Sequence, residues 1–331
     1  VPGYNISFIN MTEIKKFTET DFEFEEVTRL FNLVSHDDKE HVDDMKEGWA
    51  VRDISLKRER FLLYDDDTVL GFLGYAQGRG ENHRNCYFNI YLDPDYNGNG
   101  YRELLYDRML QDIQNFDCNR LYADIYEHPN YEQFKKFLLE NKFYIGLKIR
   151  ESSLDLESVN LTEYSSLLKK LDSKGIKFYD AKNEMKDFPN HYEKLEELGW
   201  TFGKDFPMPE GIVHTRQPFK QFMKFQKLFE EKRYGIEIVA LDEDKYVGST
   251  DIHVLPKSDP HKAWTGSLGV LREYRRQGIA TALKVKAFEK LREKGIKQVR
   301  TDNEENNPMY LINVVLGFKP EPYCFEYQKE I

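Results

Sequence analysis

Apolar and polar positions along this chain switch between two periods, and the switches mark out its elements. An alternating run at 6–9 reads as a strand, and 3.6-residue stripes over 23–34 and about 39–51 read as helices. Strands follow at 60–64, 69–76 and 86–92, the first pair joined into a hairpin by Asp65, Asp66 and Asp67. A turn over 93–100 then enters a helix, and a strand follows at 121–124. The charged run 149–157 reads as the last strand and exit of a first domain, with 158–162 as the boundary.

The second half repeats the alternation. Helices are expected over 161–171, 188–198 and 218–229, and strands at 176–179, 235–241, 246–254 and 262–271. Before the third of these helices, Asp205-Phe206-Pro207-Met208-Pro209-Glu210-Gly211 is a rigid, non-helical loop. Each proline fixes its own φ and pushes the residue before it to extended backbone. Strands interleaved with helices make this an α/β chain, and 331 residues suffice for two ordinary cores.

The most informative stretch follows the strand at 262–271. Arg272 to Gln277 form a basic turn closed by Gly278, and Ile279, Ala282 and Leu283 place one apolar face on the helix that begins there. Amide N–H groups in a tight turn and in a first helical turn lack backbone acceptors, and the aligned peptide dipoles add partial positive charge. The stretch is therefore built to cradle a diphosphate. Gly278 lets the backbone approach such a group, and Ala280 keeps the helix near the sheet. The helix runs to about Lys294, stops at Gly295, and a strand follows at 296–301.

This layout occurs twice. Gly100 and Gly278 are 178 residues apart, and the same shift carries Asp93 onto Leu271 and the strand 121–124 onto 299–302. One offset preserved over several elements indicates a duplicated unit. The copies are unequal: where the second has Arg275, Ala280, Asn303, Asn307 and Asn313, the first has Asn97, Arg102, Ile125, Pro129 and Lys135. The first copy keeps the outline and loses most groups that would hold a ligand.

The spacing Arg275-x-x-Gly278-x-Ala280 resembles the Arg/Gln-x-x-Gly-x-Gly/Ala signature of the GNAT (GCN5-related N-acetyltransferase) family. Thr301, Asn303, Asn307, Met309, Asn313 and Gly317-Phe318 resemble, in order, the family's later motif. The resemblance implies an α/β fold of two tandem GNAT-like domains, 1–157 and 158–331. Each would be a mixed, mostly antiparallel twisted sheet with a splayed parallel strand pair and flanking helices. It further implies that the second domain binds acetyl-coenzyme A (acetyl-CoA) and passes the acetyl group directly to an amine of a small molecule, the first copy being degenerate. A protein or peptide amine as acceptor, and a non-catalytic acyl-CoA-binding module, are the alternatives.

Residue by residue, the resemblance assigns the cofactor to Leu268, Gly269, Val270, Leu271, Arg275, Arg276, Gln277, Gly278, Ile279, Ala280, Thr281, Asn303, Asn307 and Asn313. The splayed strands would be 265–271 and 296–302, with backbone N–H groups near Leu268 to Val270 polarising the thioester carbonyl. Gly269 inside a strand is expected to mark a bulge there. Transfer also needs a base for the amine and an acid for the thiolate. Many family members carry a Glu in the strand that ends at the cradle, and this chain has none between Trp264 and Leu271. Asp251 and His253, on one face of the preceding strand, or Glu210 on the proline loop, are the substitutes. The family's Tyr four residues before the Gly-Phe pair is here Asn313, which can hydrogen-bond sulfur, and Tyr310 is the other candidate acid.

Composition narrows the partners. A formal net charge of -10 argues against non-specific nucleic-acid binding and tolerates a cationic acceptor. No apolar run approaches the roughly 20 residues that span a bilayer, so a soluble, cytoplasmic protein without a membrane partner is expected. Cys86, Cys118 and Cys324 have no metal-ligand spacing and are expected as buried, reduced thiols. His36, Asp37, Asp38, His41, Asp43 and Asp44 read as a helix start and a solvated face, and no metal is expected. Nothing in the sequence bears on oligomeric state.

Overall fold

The computed structural model describes residues 12–232, 235–304, 307 and 309–331; the strand expected at 6–9 lies outside the described residues. In chain order the elements are β1 (Thr12–Lys16), α1 (Asp21–Val34), α2 (Val42–Ala50), β2 (Arg58–Asp65), β3 (Thr68–Gln77), β4 (Asn85–Leu92), α3 (Tyr101–Ile113), β5 (Arg120–Tyr126), α4 (Glu132–Glu140) and β6 (Tyr144–Asp155). There follow α5 (Ser165–Ser173), β7 (Ile176–Asp180), α6 (Ala181–Glu184), α7 (His191–Gly203), α8 (Phe219–Glu231), β8 (Ile236–Asp242), β9 (Lys245–Val254), β10 (Lys262–Val270), α9 (Ile279–Glu293), β11 (Gln298–Glu304), α10 (Met309–Val315) and β12 (Lys319–Glu330). They divide into two units. One takes in the described part of 1–45 with 54–144 and 327–331, the other 46–53 and 145–326.

In the first unit β1 to β4 pair antiparallel in sequence order and β5 joins β4 in parallel. The parallel pairing lasts from Asn85↔Arg120 to Tyr87↔Tyr122 and then opens. In the second unit β7 to β10 pair antiparallel and β11 joins β10 in parallel, from Lys262↔Gln298 to Trp264↔Arg300. Each unit is therefore a mixed, mostly antiparallel sheet with one parallel pair that splays after three residues.

The strand expected to close the first domain does something else. β6 pairs antiparallel with β11 of the second unit, from Gln298↔Asp155 to Glu304↔Ile149. The charged run correctly predicts a strand, but a strand pattern carries no information about the partner.

In the second unit α9 covers one face of the sheet, packing with Ile238, Ala240, Val247, Ile252, Val254, Ala263 and Val270. α7 covers the other face, with Leu195, Leu198 and Phe202 against Val239, Leu241 and Tyr246. The period-2 alternation of β8 sends its even and odd residues to these two cores. Each large apolar side chain so buried contributes about 1.5–3 kcal/mol. Among the described residues no helix is long and apolar enough to cross a membrane.

Candidate functional site

β10 ends at Val270, and a 3₁₀ turn over Arg272–Tyr274 leads to α9. Gly278 takes φ +90°, and a Cβ there would come to 2.6 Å from Leu167 Cδ1 of α5. The backbone angle calls for glycine, and the crowding falls on the free end of a leucine side chain. The first hydrogen bond into α9 runs from the Ala282 N–H to the Gly278 carbonyl at 3.0 Å. The N–H groups of Ile279, Ala280 and Thr281 consequently have no acceptor in the helix, and they sit at its positive end.

Two arginines of the turn share one carboxylate. Arg275 donates through Nε to the Val270 carbonyl at 2.9 Å and through Nη2 to Asp205. Arg272 reaches Asp205 through Nε at 3.0 Å and through Nη2. Hydrogen bonds from Arg272 and Arg275 hold the Asp205 carboxyl well below the ordinary carboxylate range. Asp205 thereby fastens the proline loop to the basic turn. Gln277 accepts from Lys174 Nζ at 3.1 Å, and Arg276 takes a left-handed φ of +60°.

The bulge of β10 is not at Gly269. The register against β9 shifts between Thr265 and Leu268, whereas Gly269 pairs in step with Ser249. Gly269 is glycine for another reason: a Cβ there would meet the Phe202 ring of α7 at 2.1 Å. The bulge falls at Gly266 and Ser267 and is braced by Asp251, whose Oδ1 accepts the Ser267 N–H at 2.8 Å and also its hydroxyl. Beyond it, the Leu271 N–H donates to the Val247 carbonyl of β9 at 2.9 Å. Strand alternation then turns the N–H groups of Leu268 and Val270 toward the open side, away from β9.

Two adjoining cavities occupy this region. One of about 560 Å³ lies over the turn and is lined by Phe202, Arg275, Arg276, Gly278, Ala280 and Thr281, among others. The other, of about 210 Å³, lies in the opening between β10 and β11 and is lined by Thr265, Gly266, Lys284, Asp302, Asn303 and Asn313, among others. Phe206, Leu268, Asn307 and Met309 line both. Asn313 is 1% exposed. Its Nδ2 donates to Asn303 Oδ1, while its own Oδ1 is buried with no hydrogen-bond partner among the described residues. Asn307 also accepts the Met309 N–H at 3.0 Å and so caps α10.

The structure brings the predicted cofactor residues together and separates them from most of the predicted acids and bases. Neither cavity is lined by Asp251, His253, Glu210 or Tyr310. Asp251 is occupied as the brace of the bulge. His253 lies opposite Trp264 in the β9–β10 register, Glu210 is exposed, and Tyr310 is half-buried at the start of α10.

Several residues at or near the site escape sequence reasoning. Asp205 is 67 positions from Arg272 in the chain. Lys284 left a trace, since it falls on the stripe Ala280, Lys284, Ala287, Phe288, Leu291 that faces the core. Glu237 on β8 lies opposite Asp251. Burial pushes its carboxyl up to about 8, Asp251 adds to the rise, and Gln226, donating at 3.4 Å, opposes it. A carboxyl whose folded pKa lies above its ordinary 4.5 stabilises the fold fully below 4.5, and that contribution is lost as pH rises to about 8. Glu237→Gln is therefore expected to raise the melting temperature at pH 8.5 and to change it little at pH 4.5, about 2–4 °C for each kcal/mol recovered. Thermal unfolding at the two pH values checks this.

The first unit repeats the turn with other contents. Gly100 takes φ +79° at the start of α3, and Gly98 takes φ +84° where the second unit has Arg276. Arg102, at the position of Ala280, is 9% exposed and donates through Nη2 to Asn97 Oδ1 at 3.1 Å.

Comparison with known proteins falls on both halves. The profile of the "Acetyltransferase (GNAT) family" matches residues 22–135 and again 195–312. N-alpha-acetyltransferase 30 of Schizosaccharomyces pombe is 27% identical over 124 residues, covering 36% of this chain and 73% of that protein. Among solved structures, a tandem GNAT protein from the clavulanic acid biosynthesis pathway aligns with a TM-score of 0.76 at 17% identity, over 96% of this chain and 98% of its own. A GCN5-related N-acetyltransferase from Sphaerobacter thermophilus aligns with a TM-score of 0.67 at 15% identity, over 96% and 95%. At such identities these structures speak for the fold.

Proposed function

The chain belongs to the acetyltransferase (GNAT) family, and from that premise we propose that it moves an acetyl group from acetyl-CoA to an amine of a small molecule, at a site in the second unit. The observation that carries this reading is the conjunction, in one unit, of acceptor-free N–H groups at the start of α9, a parallel strand pair that opens after three residues, and adjoining cavities at the two. Acetyl-CoA supplies an acyl group already activated as a thioester. Arg275, Arg276 and the N–H groups of Gly278 to Thr281 would hold its diphosphate. The N–H groups of Leu268 and Val270, facing the opening, would bond the arm and polarise an acyl carbonyl. The orphaned Asn313 Oδ1 fits a hydrogen-bond donor on the arm. Asn303 and Asn307 would flank it. Positioning and backbone polarisation then carry much of the rate, and water takes the proton from the amine.

Phe206 and Pro207 line the strand opening, which supports a covered pocket and hence a small acceptor. The likeness to an N-alpha-acetyltransferase favours a second reading, a peptide or protein amine. In the first unit Arg102 and Asn97 bond to each other at the positions of Ala280 and Arg275, which supports a degenerate copy. Calorimetry with acetyl-CoA is expected to find one site per chain, and CoA release is expected with small amines rather than with peptides. Two equivalent sites would overturn the assignment to one unit. Tight binding without CoA release on any amine or peptide would favour a non-catalytic module.

A further inference from the structure

Among the buried residues of α9 only Lys284 carries a charge. It is 1% exposed, its Nζ has no hydrogen-bond partner among the described residues, and that atom lies 4.8 Å from the centroid of the Phe318 ring. Lys284 lines the cavity between the splayed strands. Facing that cavity are Thr265 from β10, Asp302 and Glu304 from β11, and Asn313 from α10. Burial pushes the Lys284 ammonium down to about 7, with the Asp302 carboxylate pulling the other way, and burial raises Asp302. A buried lysine without a hydrogen-bond partner costs stability. The fold does not demand it, because the same position in the first copy is Tyr106, also buried.

We propose that Lys284 is the proton donor to the sulfur of coenzyme A, an inference that rests on the acetyl-CoA reading above. Phe206, Leu268, Asn307 and Met309 line both cavities and so connect the diphosphate cradle to the space beside Lys284. An arm held at the cradle and laid along the open edge of β10 would enter the cavity that Lys284 lines. As the amine nitrogen bonds to the acyl carbon and the carbon–sulfur bond breaks, the electron pair of that bond stays on sulfur. The Lys284 ammonium gives sulfur a proton, and the resulting neutral amine takes one from the acylated nitrogen through water. The products are an amide, a thiol and the ammonium with which the cycle began.

The test needs no acceptor. Wild-type protein and Lys284→Met are each saturated with coenzyme A, and thiolate absorbance is followed against pH with the desulfo-coenzyme A complex as blank. Lys284 and the bound thiol share one proton and titrate as a pair, so in the wild type part of the thiolate absorbance is expected to appear at least about one pH unit below free coenzyme A. In Lys284→Met the bound thiol is expected to ionise at or above the free value, while acetyl-CoA, which has no thiol, binds both proteins alike. A bound thiol that ionises at the same pH in both proteins overturns the proposal. Failure of either ligand to bind the wild type overturns the acetyl-CoA reading, and this inference with it, so the two failures are told apart. If Lys284→Met does not fold, Lys284→Gln replaces it with the same expected shift.

Discussion

Gly278→Asp is expected to abolish acetyl-CoA binding in a protein that still folds, while Gly100→Asp binds as the wild type does. Three effects add at position 278. A side chain at φ +90° is strained by about 1–2 kcal/mol. Its Cβ meets Leu167 Cδ1 at 2.6 Å. Its carboxylate sits at the start of α9, where the diphosphate would be held, and repels it. The repulsion acts on binding itself, at 1.4 kcal/mol per tenfold, and strain and crowding add to it by distorting the turn that would hold the diphosphate. The helix itself tolerates the change, because a negative charge at its N-terminus is favourable. Gly100 has φ +79° and nothing within 4 Å of a Cβ, so the same substitution there tests which copy of the turn is used. Calorimetry reads both variants, and Gly278→Ala separates crowding and strain from charge.

The largest expected effect on stability comes from Arg300→Leu. Arg300 Nη2 lies 2.5 Å from Glu151 Oε2, the two side chains are 2% and 4% exposed, and the guanidinium lies 5.1 Å from the centroid of the Trp264 ring. Removing one partner of a buried pair leaves the other charge buried without its counter-ion, at a cost of about 3–5 kcal/mol. Arg300→Leu combined with Glu151→Leu is expected to recover most of the loss, since the desolvation of both charges disappears with them. Denaturant unfolding of the single and double variants measures this. The pair sits where β6 joins β11, so it also fastens to the second unit a strand encoded in the first half of the chain.

What was legible in the sequence is what is contiguous in it. The cradle from Leu268 to Thr281 is one run of chain, and its chemistry follows from a strand, a glycine and a helix start in the right order. The later asparagines were legible because α10 follows β11 within a few residues. The position of the bulge was not, because Gly266 and Gly269 look alike until Phe202 and Asp251 are seen against them. Nor was the partner of β6, since a strand pattern specifies a face and leaves the neighbour open. The bracing role of Asp251 was hidden for a related reason: two acidic or basic residues on one strand face are visible in sequence, but the backbone amide that Asp251 accepts belongs to a bulge. Lys284 was visible as a break in an apolar stripe, yet only the cavity beside it gives the break a chemical sense.

The clamp of Asp205 on two arginines has a consequence for how an anion arrives. With its carboxylate held between Arg272 and Arg275, the turn is already partly neutralised, so a diphosphate arriving there would meet a weaker field than the tally of arginines implies. It would have to win Arg275 from a resident anion, and association would become an exchange of counter-ions rather than a capture by bare charge. The side chain that such an exchange would release, Asp205, precedes Phe206, which lines both cavities.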